Sequence, residues 1–177
     1  MWDRFRCLGR NRAWALGATL LTAACGSGSD AGGDSVLSQA PHCAAADTLK
    51  IEGTIAGGTI DDTRTNNINA GLENIGMSKF YTPLTNIQPL ASNQLALTIT
   101  WQNSLFYGAS AAATGGTLTL PANHPTPGAE YCISAGRVGF VSGGDEDGVF
   151  KFAVTEVKSG ADCSGAATPV DIRGCYQ

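Results

Sequence analysis

Hydrophobic and polar residues alternate with a period of two along much of this 177-residue chain. Leu49, Ile51, Gly53 and Ile55 alternate with Thr48, Lys50, Glu52 and Thr54, while Leu95, Leu97, Ile99 and Trp101 alternate with Ala96, Thr98 and Thr100. Successive side chains of a strand point to opposite faces, so this is the pattern of strands buried on one side. Further strand-like runs cover 78–84, 117–120, 130–141, 149–157 and 170–176, punctuated by Pro127-Gly128, Gly143-Gly144 and Ser159-Gly160. Seven short strands with such turns between them predict an all-β fold, a single antiparallel β-sandwich of immunoglobulin-like or jelly-roll-like kind. One segment, 67–76, leaves the period. Ile68, Leu72 and Ile75 stand there at helical spacing, with Asn67 placed as a cap and Gly76 as a stop, which predicts one short helix despite Gly71.

The N-terminal end follows different rules. Arg4, Arg6, Arg10 and Arg12 precede a 12-residue apolar run, 13–24. A membrane-spanning helix needs about 20 apolar residues, whereas basic residues, a short apolar run and small residues at a cut site are the layout of an export signal. No two of the arginines are adjacent, so the twin-arginine motif is absent and general export fits.

Leu21-Thr22-Ala23-Ala24-Cys25 closes that run and resembles the lipobox of bacterial lipoproteins, in which an apolar residue and two small residues precede a cysteine. Ala23, Ala24 and Cys25 match; Thr22 stands where leucine is usual, and the leucine lies one place earlier. Thr22 and Ala24 are also compatible with an ordinary signal cut between Ala24 and Cys25. The resemblance implies a thioether-linked diacylglycerol on Cys25, usually with a third, amide-linked chain. Two or more acyl chains give stable anchoring in a lipid bilayer. By analogy with enteric sorting, Gly26 and Ser27 after the cysteine favour the outer membrane. The implied organisation is a signal peptide over 1–24, a lipidated tether over 25–42 and one β-domain over 43–177. The tether assignment rests on a Gly- and Ser-dominated composition that cannot bury a core.

Cysteine parity agrees with lipidation. Beyond the signal the chain carries Cys25, Cys43, Cys132, Cys163 and Cys175, and assigning Cys25 to lipid leaves four, enough for two disulfides in an oxidising compartment. Four cysteines allow three pairings. If 130–141 and 149–157 form a hairpin with Val141 opposite Gly148, Cys132 lies opposite Val157, at the end where Cys163 follows, whereas Cys175 lies about 20 Å along the last strand. A bridge needs Cα atoms within about 7 Å, which favours Cys132 with Cys163 and Cys43 with Cys175.

From Cys25 onward seven basic residues face fourteen acidic ones, a net charge near −7. Nucleic acid is excluded as a natural partner, because phosphate binding needs a concentrated positive surface. Motifs for nucleophilic, phosphate-binding or zinc chemistry are absent, and no cofactor is called for. His42 and His124 both stand in predicted loops and read as solvent-exposed. In the acidic turn 143–148, Asp145 and Asp147 offer a calcium ion oxygens at alternate positions. An EF-hand loop needs a third ligand there and a distant glutamate, so a solvated hairpin turn is the plainer reading. Asp61-Asp62 with Asn66-Asn67 is a weaker cluster of the same kind. Trp101 shares its face with aliphatic residues and is predicted to be core. The adjacent rings Phe106-Tyr107, like Phe80-Tyr81, place one ring of each pair outward in an extended segment and are candidate ligand surfaces. Two functional classes follow: a binding, adhesion or structural module meeting an envelope protein or glycan, or a secreted hydrolase with a carboxylate site assembled by the fold.

Overall fold

A computed structural model describes residues 35–66, 68, 70–75, 82–102, 105, 108–160 and 162–177. The signal 1–24, Cys25, Phe80, Tyr81, Phe106 and Tyr107 lie outside the described residues.

The fold is all-β and antiparallel, as the alternation predicts. Its strands are β1 (Thr48–Ile55), β2 (Gly58–Thr65), β3 (Ala70–Ile75), β4 (Thr82–Ile87), β5 (Ala96–Trp101), β6 (Ser110–Thr119), β7 (Glu130–Phe140), β8 (Phe150–Ser159) and β9 (Ala167–Tyr176). These nine strands, against seven expected, form one continuous sheet in the order β2-β1-β9-β8-β7-β6-β5-β4-β3, curled into a half-barrel. The two facing layers expected of a sandwich are supplied by one sheet bent over a single core.

Every neighbouring pair is antiparallel, so eight steps across the sheet bring β3 into the same direction as β2. Only four residues separate them in the chain, a reach of about 18 Å, and parallel neighbours need a crossover of a dozen residues or more. β2 and β3 are accordingly the two edges of the sheet and are not paired with each other. The segment read as a helix over 67–76 contains β3 instead, paired with β4 from Ala70 opposite Ile87 to Ile75 opposite Thr82. Pairing with β4 satisfies the backbone there, and Gly71 disfavours a helix.

Local chemistry explains the ordered hairpins. Ala56 and Gly57 both have positive φ, 48° and 77°, as a two-residue hairpin of type I′ requires, and they join β1 to β2. Between β7 and β8 the register is one residue from the expected one: Cys132 lies opposite Lys158 and Phe140 opposite Phe150, with irregularities near Ala135 and Glu156. The turn decides this, since Val141 N–H donates to Val149 O and Gly148 N–H to Val141 O.

The concave side is filled. Trp101, Phe150, Phe152, Leu49, Ile51, Leu97, Ile99 and Ile172 are buried in one cluster. Phe150 is its centre, with ring centroids 5.5 Å from Trp101, 5.4 Å from Phe140 and 5.2 Å from Tyr176. Trp101 is thus the core residue its strand face predicts. Each such side chain contributes about 1.5–3 kcal/mol by leaving water. Burial pushes the Tyr176 phenol far above its ordinary range, against a hydrogen bond with Thr85 Oγ1 at 2.7 Å that ties β9 to β4 across the core.

Two disulfides staple the sheet, Cys43 to Cys175 and Cys132 to Cys163, the pairs to which the hairpin argument leads. Disulfides form and persist in oxidising compartments and mark an exported chain. Among the described residues no helix is long and apolar enough to cross a membrane.

Candidate functional site

Three constellations stand out. The first lies on the convex side of β8. Part of the stretch read as a flexible tether is docked there: Leu37, in a single 3-10 turn at Leu37–Gln39, is fully buried against Ala153, and Ala40 and Pro41 are also buried. The run from Val36 to Cys43 is a strap, because Leu37 fills an apolar site that Gly and Ser composition does not reveal. Arg173 on β9 reaches Gln39 O at 3.5 Å, and Cys43 joins Cys175, Val149 and Val141 in a small apolar cluster.

The acidic turn latches this strap. Glu146 accepts from Lys151 Nζ at 2.7 Å and from the Cys43 N–H at 2.9 Å, while His42 approaches Glu146 at 3.2 Å and Asp145 at 3.3 Å. Burial raises the Glu146 carboxyl, but the Lys151 hydrogen bond, the Cys43 N–H and the nearness of Lys151 and His42 outweigh it and hold the group below its ordinary value. The carboxylates considered for calcium therefore have other work: Asp145 faces His42, and Asp147 accepts the Gly143 N–H at 2.6 Å. Among the described residues no group of three His, Cys, Asp or Glu side chains is arranged to hold a metal ion.

The second constellation is a buried ion pair. Asp62 and Arg64 stand two residues apart on the inward face of β2, with side chains 2 % and 1 % exposed. Arg64 grips Asp62 with two hydrogen bonds, Nε to Oδ1 at 3.0 Å and Nη2 to Oδ2 at 2.6 Å. It also donates to Gln88 O and, at 3.0 Å, to Leu95 O, while Asp62 accepts the Leu95 N–H at 3.2 Å. The pair welds the edge strand β2 to the β4–β5 connection, and the hydrogen bonds to backbone compensate its desolvation. The sequence reading grouped Asp62 with Asp61 and passed over Arg64. The available signal was Ile60-x-Asp62-x-Arg64, a period of two that continues through charged residues.

The third is a groove of about 460 Å³ between the β4–β5 and β6–β7 connections, walled by Pro89, Ala91, Ala96, Leu120, Pro121 and Pro127. Gln94 holds one wall rigid, its Oε1 accepting the N–H groups of Leu90 at 2.6 Å and Ala91 at 3.0 Å. Ala122 N–H to Ser92 O, 2.9 Å, ties the two walls together. Leu90, between the lining residues Pro89 and Ala91, is 48 % exposed, although large and apolar. The same β6–β7 connection corrects the reading of His124, which is buried rather than solvent-exposed. Its ring lies against Gly58, where a Cβ would collide with it, and Nδ1 accepts the Thr126 N–H at 3.2 Å. His42 is exposed, as expected.

A fourth depression, of about 310 Å³ on β1 and β9, is lined by two carboxylates, Glu52 and Asp171. Each is exposed and has a cation beside it, Lys50 at 3.4 Å from Glu52 and Arg173 at 2.7 Å from Asp171. Comparison of the chain with protein-family models, with curated proteins and with solved structures finds no match.

Proposed function

We propose that this is an exported lipoprotein, held at the outer membrane by acyl chains on Cys25, whose half-barrel acts as a binding, adhesion or structural module toward an envelope protein or glycan. One observation carries the choice of a module over an enzyme. The concave side, where a curled sheet would house a substrate, is occupied by Trp101, Phe150, Phe152 and their aliphatic neighbours, so recognition falls to the outer surface and its loops. The two disulfides support the exported location, and the lipobox-like Leu21–Cys25 segment and the cysteine parity support the anchor.

The anchor is tested by detergent phase partition of the protein produced in a bacterial host. The natural chain partitions with the detergent phase and takes up labelled fatty acid, whereas Cys25→Ser does neither and is recovered in the aqueous phase. A Cys25→Ser protein that still follows the membrane fraction would refute the anchor. The module reading is tested by presenting the aqueous Cys25→Ser protein to arrays of envelope proteins and glycans; turnover of an arrayed glycan, rather than retention on it, would place the hydrolase reading ahead.

A further inference from the structure

Charge is divided unevenly around the barrel. From Phe80 to Ala129 there are fifty consecutive residues without Asp, Glu, Lys or Arg, where the chain's average of 15 % would place about seven. This run forms β4, β5 and β6. On their convex face the described outward residues are hydroxyl, amide or methyl groups, with Thr98 opposite Thr117 and Asn86, and Ala96 opposite Thr119. The Leu90 groove opens at one end of this wall and has no charged residue in its lining.

We infer that this neutral wall is a self-association surface, on which two copies of the chain meet about a two-fold axis with Leu90 of each seated in the other's proline-walled groove. Three observations select a second copy as the occupant. From Cys25 onward the net charge is near −7, so the protein repels its own kind wherever its acidic residues face outward, and β4–β6 is the side from which that repulsion is missing. Knob and groove lie side by side on one surface, so a single two-fold operation fills both grooves and covers both leucines; such isologous pairing is the commonest oligomer geometry. The parts are also set in advance. Gln94 and the Ala122–Ser92 hydrogen bond hold the rim and walls, so little ordering opposes association. Among the described residues of β4, β5 and β6 a basic or acidic partner finds no charge to pair with, and Arg137 of the neighbouring β7 is engaged with Ser110 Oγ at 2.7 Å.

The test is sedimentation velocity of the purified Cys25→Ser protein over a concentration series to about 100 µM, a choice that leaves the result independent of the lipid anchor. The expected result is a monomer–dimer equilibrium within that range. Leu90→Glu and, separately, Thr98→Glu should weaken it at least about tenfold, since each places a charge at the centre of the contact. Glu52→Gln, on the opposite side, should leave it unchanged, and all three should retain the parent's melting temperature. A parent protein that stays monomeric throughout overturns the proposal, as does a Leu90→Glu protein that is folded and still dimeric. A monomer retarded on a neutral polysaccharide matrix would assign the wall to glycan instead.

Discussion

The two sides of the barrel are held together by different means. β1, β2 and β7 to β9 carry both disulfides, the Asp62–Arg64 pair, the Glu146 latch and the surface ion pairs. β4, β5 and β6 have no charged residue of their own and rest on ladder hydrogen bonds, hairpin connections and the packing of Leu97, Ile99, Trp101 and Leu118, with the Thr85–Tyr176 hydrogen bond and the Arg64 contacts reaching them from the charged side. The charged side is where β1 and β2 meet β9, the first strands of the sheet beside the last, so residues distant in sequence are joined there. On the neutral side neighbours in space are neighbours in sequence, and short connections suffice. Closure therefore explains the position of the Cys43–Cys175 bond and the buried pair, but not the absence of surface charge on the other side. That absence needs a reason of its own.

The largest test of this contrast is removal of the long-range staple. Cys43→Ser with Cys175→Ser opens a bridge spanning 132 residues and should lower stability by about 5 kcal/mol on the chain-entropy account. Native-state hydrogen exchange should show β1, β9 and the strap losing protection first, with β5 and β6 retaining theirs. Uniform loss would mean that the two sides do not differ as described. Next comes Asp62→Ala, which leaves Arg64 buried and unpaired; breaking such a pair costs about 3–5 kcal/mol, measurable by denaturant unfolding. A cost near that of an exposed pair, below about 1 kcal/mol, would remove the seam from the argument. The smallest effect concerns Glu146. Because its folded pKa is depressed, its contribution is present above the unfolded value near 4.3 and is lost as pH falls through the folded value. Stability of the natural protein should therefore drop more steeply below about pH 4.5 than that of Glu146→Gln, by less than about 1 kcal/mol, in thermal melts across that window.

The same division governs what could be read from sequence. β1 and β5 were legible because apolar residues occupy every inward position. β2 was not, since two of its three inward side chains are Asp62 and Arg64, whose burial depends on carbonyls contributed from residues 88 and 95. The first half of β6 was missed because Ala111, Ala112 and Gly115 carry no strand preference of their own; β7 imposes the conformation by pairing Ser110 with Gly139. Leu72 and Ile75 carry a helical spacing that β4 overrules. For the candidate site, the cysteine pairs could be argued from hairpin geometry, and the strap could not, because one leucine in a Gly- and Ser-rich context gives no period. The groove was hidden for a different reason: it joins two loops that are about thirty residues apart. The neutral run, by contrast, is plain in the sequence once charge is plotted by position rather than summed.

The strap also has a mechanical meaning. A pull on the chain from its N-terminal side meets the docked Leu37 and then the Cys43–Cys175 bond before it reaches β1. The covalent bond hands the load to β9, which lies between two ladders, with β1 on one side and β8 on the other. Force that would otherwise unzip β1 from its first residue, one hydrogen bond after another, is shared across both neighbours at once. Such a domain can be pulled from its N-terminal side without the strain entering the strand that begins the fold.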